Sequence, residues 1–163
     1  MLDLTKYQGI IFDMDGTLID SMGSHLQAWE LTCHALGYPF DYDYMYSLGG
    51  VPTLATVDIL NEKYGLSHDP DEVAKQKHQF WLGLNQQPEI ITETVDILNY
   101  YHGKMPIGVG KPHPETFLSV AKQINIQPQN CVVFEDTQIG YQAAQAGGMD
   151  CILVKNGKIQ LKT

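Results

Sequence analysis

The sequence predicts an α/β protein built on a doubly wound parallel sheet, with an all-helical block inserted into it. Three observations predict this. An apolar run near the start ends in paired acids at Asp13 and Asp15, residues 21–88 carry helix signals with no strand candidate, and strand and helix patterns alternate from Glu89 onward. A helical stretch lying between a first strand and the remaining strands is an insertion. The core is therefore expected from residues 1–20 and 89–163, and the helical block from 21–88.

Gly9-Ile10-Ile11-Phe12 is a short apolar run of the kind that forms a strand buried on both faces. Asp13 and Asp15 leave its carboxyl end, where open α/β sheets bind their ligands. Residues two apart on extended backbone point the same way, and Gly16 permits a sharp turn with backbone amides free. Two acids and exposed amides suit a divalent cation and a phosphate. Asp-Gly after a strand is equally hairpin chemistry.

In the helical block, Leu26, Trp29, Cys33 and Leu36 recur at helical spacing between Ser21 and a stop at Gly37. A second helix is expected from Thr53 to Tyr64, closed by Gly65. A third opens at Asp69-Pro70-Asp71-Glu72, which supplies an N-cap, a first-turn proline and an acid at the capping-box position, and continues from Val73 to Leu82. After Glu89 the reading is helix 91–102, strand 105–109, helix 114–124, strand 130–134, helix 139–146 and strand 151–154, with a turn at Asn156-Gly157.

The formal charge of −9 excludes nucleic acid and anionic membranes as partners, since both would repel the chain. The 44% hydrophobic content is enough for a buried core, and no run approaches membrane-spanning length. An acid at Asp3 stands where a signal peptide would be apolar, so a soluble, cytoplasmic protein is expected. Cys33, Cys131 and Cys151 lack metal-site spacing and read as reduced core thiols.

Cys131-Val132-Val133-Phe134-Glu135-Asp136 repeats the design of the opening stretch. In one parallel sheet both strands end on the same edge, so Asp13, Asp15, Glu135 and Asp136 are expected to converge. Clustered carboxylates repel unless a cation holds them, and hard oxygen ligands in that number suit Mg²⁺. Asp136-Thr137 is also an ordinary helix N-cap pattern, which leaves Glu135 unexplained. Lys111, in Gly110-Lys111-Pro112-His113-Pro114, lies in a proline-stiffened loop where its ammonium can balance acids and phosphate.

Asp13-Met14-Asp15-Gly16-Thr17, Lys111-Pro112 and Glu135-Asp136 resemble motifs I, III and IV of the haloacid dehalogenase-like hydrolases, and the helical block looks like their C1 cap. Ser21, His25, Ala28-Trp29, Gly50-x-Pro52-Thr53 and Phe134-Glu135-Asp136-Thr137-x-x-Gly140 narrow the likeness to the β-phosphoglucomutase-like subfamily, nearest its fructose-1-phosphatase branch. The resemblance implies a Rossmann-like core and a Mg²⁺-dependent phosphatase of small sugar phosphates; a monomer is the default expectation for a core whose site is closed by its own cap. Asp13 would be the nucleophile and Asp15 the general acid and base. Asp13, Asp15, Glu135 and Asp136 would hold the metal, and Lys111 would neutralise phosphate. Thr17, His25, Gly50, Thr53 and Lys77 would bind substrate. His25 has a core histidine as its alternative, Gly50 a turn, and Lys77 a solvated helix charge.

The chain departs from the family pattern at one junction. Val109-Gly110 runs directly into Lys111-Pro112, so the motif II hydroxyl and a strand–helix–strand unit of about 30 residues are absent. β-Phosphoglucomutases share the core but carry a cap-loop arginine where this chain has Val51-Pro52-Thr53-Leu54, and the chain holds no arginine at all, which favours hydrolysis. A non-catalytic binder of phosphorylated metabolites is the reading from another class. The retained motif I acids argue against it.

Overall fold

The computed structural model describes residues 1–110 and 114–160. The chain divides into two compact units, one formed by Met1–Asp20 with Glu89–Thr163 and the other by Ser21–Pro88.

The first unit is an α/β sheet of five strands: β1 (Gly9–Asp13), β4 (Ile107–Gly110), β5 (Cys131–Glu135), β6 (Asp150–Lys155) and β7 (Lys158–Gln160), in the order β4-β1-β5-β6-β7. The first four of these in spatial order are parallel, and β7 returns antiparallel to β6. Period-two alternation sends Ile10, Phe12, Val132 and Phe134 into one apolar layer and Ile11, Cys131 and Val133 into the other. Helix α5 (Thr92–Tyr101) covers the first face through Ile97 and Tyr101. Helices α6 (Pro114–Gln123) and α7 (Gln138–Ala146) cover the second, through Phe117, Val120, Ala143 and Ala144. The stacked rings of Phe12 and Phe134, 4.9 Å apart, lock β1 to β5 in the layer below the carboxyl edge.

Strand β4 begins later than the apolar pattern suggests. The Lys104 and Met105 amides turn back to the Tyr101 carbonyl and close α5, so pairing starts where Ile10 donates to the Pro106 carbonyl. It is an outer strand of the described sheet, and Val109 is 51% exposed. Gly108 and Gly110 face Val120 and Phe117, so α6 packs directly on the β4 backbone.

Three short elements escape sequence periodicity. Strands β2 (Ile19–Asp20) and β3 (Glu89–Ile90) are two residues each and pair antiparallel at the two chain crossings between units. Strand β7 follows a turn in which Asn156 and Gly157 have φ of 49° and 70°, the two-residue hairpin geometry.

The second unit holds α1 (Met22–Leu36), α2 (Tyr42–Ser47), α3 (Thr53–Tyr64) and α4 (Pro70–Gly83) around Leu26, Trp29, Cys33, Tyr38, Met45, Val57, Leu60 and Val73. Gly37 and Gly65 end α1 and α3, and the Asp69 carboxylate accepts from the Glu72 amide at 3.0 Å to start α4. Helix α2 has six residues, too few to show a period, and is fixed instead by Asp41 accepting from the Tyr44 amide. No disulfide joins the three cysteines. Cys33 and Cys131 are buried, Cys151 half-buried, and burial pushes the Cys33 thiol up to about 11. No described helix is long and apolar enough to cross a membrane.

Candidate active site

Neighbouring parallel strands β1 and β5 pair Phe12 with Phe134, so Asp13 and Glu135 emerge next in register at the same carboxyl edge. Asp136 follows immediately. One carboxylate oxygen from each of Asp13, Glu135 and Asp136 lies within 4.8 Å of the others. Asp13 is 3% exposed and Glu135 fully buried.

Small residues make this crowding possible. A β-carbon at Gly140 would overlap the Glu135 carboxyl group, and one at Gly16, where φ is 83°, would overlap the Asp136 carboxylate. Thr137 then aims Glu135. Its amide and hydroxyl both donate to Glu135 Oε1, at 2.9 and 2.7 Å, while its own oxygen accepts from the Gly140 amide and caps α7. Glu135 Oε2 and Asp136 Oδ1 are buried with no hydrogen-bond partner among the described residues.

The electrostatics follow from that geometry. Burial, and then the charges of Glu135 and Asp136, push the Asp13 carboxyl up to about 9. Asp136 is pushed up to about 8 by burial first and Glu135 second. Glu135 is raised by burial against the opposing pull of the Thr137 bonds. Three carboxylates this close, two buried and one half-buried, cannot all stay ionised without a positive charge, and the two oxygens without a partner among the described residues offer hard donors for one. The residues therefore fit a divalent cation of the Mg²⁺ kind.

Asp15 does not join this group of three. It lies on the exposed side of the turn beyond β1, and its charge acts on Asp13 and Asp136 only as a minor contribution. Extended backbone ends at Asp13, so the two-residue spacing from Asp13 to Asp15 does not run along a strand. The expectation of free amides in the turn is corrected. The amides of Thr17, Leu18 and Ile19 donate to the Met14 carbonyl and that of Gly16 to the Ile19 carbonyl, because a turn this tight satisfies its own donors. Thr17 is fully buried, and its hydroxyl donates to Asp13 Oδ2 at 3.3 Å. Lys111 lies outside the described residues.

The other four substrate residues all belong to the helical unit. Lys77 is no solvated helix charge: it is 9% exposed, with its Nζ 3.0 Å from His25 Nδ1 and 5.7 Å from the centre of the Trp29 ring. An ammonium only donates, so His25 Nδ1 accepts. His25 stacks on Trp81, whose Nε1 donates to Ser24 Oγ. Gly50 has φ of 84° in the turn before α3, and Thr53 is the first residue of that helix.

Sequence reasoning missed the aiming role of Thr137, for which the N-cap pattern was the available signal. It also missed Thr94, a buried helical threonine whose hydroxyl donates to the Thr17 carbonyl. Nothing in the local pattern marks that residue.

Comparison with known proteins adds three findings. A family model described as haloacid dehalogenase-like hydrolase matches residues 66–148. Fructose-1-phosphate phosphatase YqaB of Escherichia coli is 31% identical over 92% of this chain and 97% of that protein, and an uncharacterized protein of Haemophilus influenzae is 34% identical over 98% of each. The Haemophilus alignment runs to 197 positions against a chain of 163 residues, so that relative holds residues this chain lacks. Among solved structures, β-phosphoglucomutase from Clostridium difficile superposes with a TM-score of 0.74 at 23% identity, over 92% of this chain and 85% of that one.

Proposed function

The chain belongs to the haloacid dehalogenase-like hydrolases and fits their β-phosphoglucomutase-like subfamily, which makes it an enzyme of the phosphatase and phosphotransferase class; from that premise we propose that it is a Mg²⁺-dependent phosphatase of small sugar phosphates resembling fructose 1-phosphate. The observation that carries the reading is the convergence of Asp13, Glu135 and Asp136 at one strand edge, with one oxygen each of Glu135 and Asp136 lacking a hydrogen-bond partner among the described residues.

In this mechanism Asp13 attacks phosphorus, forming a bond from its carboxylate oxygen while the bond from phosphorus to the sugar oxygen breaks. Asp15, the solvent-facing acid, gives a proton to the departing sugar oxygen. It then takes one from the water that hydrolyses the aspartyl phosphate, releasing inorganic phosphate and restoring Asp13. Thr17 keeps the Asp13 carboxylate oriented through its hydroxyl. The residues that would hold Mg²⁺ are Asp13, Glu135 and Asp136 with the Asp15 carbonyl, and the ion when bound supplies neutralisation of the phosphoryl oxygens. Lys111 adds a second positive charge in the same reading, and His25, Gly50, Thr53 and Lys77 recognise the sugar.

The test is phosphate release from a panel of fructose 1-phosphate, glucose 6-phosphate and β-glucose 1-phosphate, with Mg²⁺ or EDTA. Mg²⁺-dependent release that Asp13→Asn abolishes supports the proposal. Conversion of β-glucose 1-phosphate to glucose 6-phosphate faster than to free phosphate would make the enzyme a mutase. Binding of these esters with no turnover would make it a binder.

A further inference from the structure

We infer that Thr94 is a positioning residue for the nucleophile, holding the Thr17 carbonyl and, through the Thr17 hydroxyl, the Asp13 carboxylate. The inference takes Asp13's role from the proposed phosphatase reaction and its geometry from the fold alone.

Thr94 is fully buried in the first turn of α5, and its hydroxyl donates to the carbonyl oxygen of Thr17. The same hydroxyl oxygen lies 3.0 Å from the Ile91 carbonyl, the back-bond a threonine often makes in a helix. A hydroxyl has one proton, and Thr17 is the closer acceptor. Thr17 in turn is fully buried and reaches Asp13 Oδ2 at 3.3 Å. One chain of two hydrogen bonds thus runs from a helix on one face of the sheet to the carboxylate at its edge.

The turn needs such an outside support. Its amides from Gly16 to Ile19 all bond within the turn, to Met14 and Ile19 carbonyls, so nothing in that set fixes it against the sheet. The start of α5 does so at two successive residues. Ile91 donates its amide to the Leu18 carbonyl at 2.8 Å, and Thr94 donates its hydroxyl to Thr17. Helix α5 is itself anchored, since Ile97 and Tyr101 pack in the same layer as Ile10, Phe12 and Leu18. The Tyr101 hydroxyl accepts from the Leu4 amide and donates to the Leu2 carbonyl.

The consequence concerns the orientation of Asp13. The bond from Thr17 to Asp13 is already long, so a small shift of the turn removes it, and the carboxylate, still bonded to the Met14 backbone, loses one of the bonds that set its orientation toward the line of attack. Support at Thr94 therefore acts on the rate of the chemical step and on metal capture by Asp13, more than on substrate binding.

The test compares Thr94→Val, which keeps shape and loses the donor, with Thr94→Ser, which keeps the donor. Both are measured in the full chain with Mg²⁺. The expected result for Thr94→Val is a fall in kcat of roughly ten- to a hundredfold for fructose 1-phosphate with KM changed by less than about twofold. Its Mg²⁺ affinity by calorimetry weakens, and Thr94→Ser recovers both quantities. Melting temperature is recorded to correct each value for the folded fraction. Wild-type kcat and Mg²⁺ affinity in Thr94→Val overturn the inference, as does a loss that follows the unfolded fraction alone and that Thr94→Ser fails to restore. If the wild type turns over no phosphate ester, the functional proposal has failed. The calorimetric comparison then decides this one, equal Mg²⁺ affinities overturning it and weaker binding only in Thr94→Val upholding it.

Discussion

Gly140, on the first turn of α7, sits against the Glu135 carboxyl group so closely that no β-carbon fits between them. The helix start is thus built around a carboxylate, and only glycine fits this helical position despite its poor helix propensity.

Gly140→Ala should reverse the usual rule for a helix. Alanine favours helix by about 1 kcal/mol over glycine, yet the overlap with Glu135 costs about 1–3 kcal/mol as overpacking. The expected outcome is a lower melting temperature together with weaker Mg²⁺ binding, because Glu135 must move. A stabilised variant with unchanged Mg²⁺ affinity would show that the carboxyl relaxes freely.

The acid cluster should make the metal-free protein sensitive to base. Asp13 and Asp136 are raised to about 9 and about 8 in the folded chain from ordinary values of 3.8. Between those limits the folded state binds more protons than the unfolded state, so stability falls as pH rises, by at most about 1.4 kcal/mol per pH unit for each group. Urea midpoints in EDTA should drop steadily from pH 5 to pH 8. Added Mg²⁺ should raise them more at pH 8 than at pH 6, since protons compete with the metal for the same oxygens. Midpoints independent of pH would mean that the carboxylates do not crowd one another.

Asp13→Asn should separate stability from activity. It removes the carboxyl whose ionisation the cluster opposes most, so at pH 8 without metal it is expected to stabilise the fold by on the order of 2 kcal/mol, while phosphate release disappears. Guanidinium denaturation beside a phosphate assay reads both effects. Loss of activity accompanied by loss of stability would instead make Asp13 a structural acid.

Strand β4 should tolerate change on one face only. Gly108 faces Val120 without room for a side chain, so Gly108→Ala is expected to cost about 1–3 kcal/mol. Val109 is half-exposed on the outer strand, and Val109→Thr should stay within about 0.5 kcal/mol. Similar urea midpoints for the two variants would contradict the packing of α6 on β4.

Much of this was legible in the residues. The alternation of Ile10, Ile11 and Phe12, and of Cys131 to Phe134, specifies strands buried on both faces, and their endings in acids specify which edge carries chemistry. Caps such as Asp69 and stops such as Gly37 and Gly65 fixed helix ends to within a residue or two, because these are local hydrogen-bond and φ requirements. Short elements such as β2, β3 and α2 were not legible, since fewer than two periods carry no pattern.

The sequence by itself determined the fold class, the order of strands and helices, and the pair of strand ends that bring Asp13 to Glu135 and Asp136. Those follow from local periodicity and from the rule that parallel strands share a carboxyl edge. Only the tertiary structure decided that Asp15 stays outside the group formed by Asp13, Glu135 and Asp136, and that the amides from Gly16 to Ile19 bond within the turn. It alone decided that Lys77 is buried against His25 and that Thr94 reaches the Thr17 carbonyl. Each depends on contacts between residues far apart in the chain, or on where extended backbone stops, and neither is written in the spacing of neighbours.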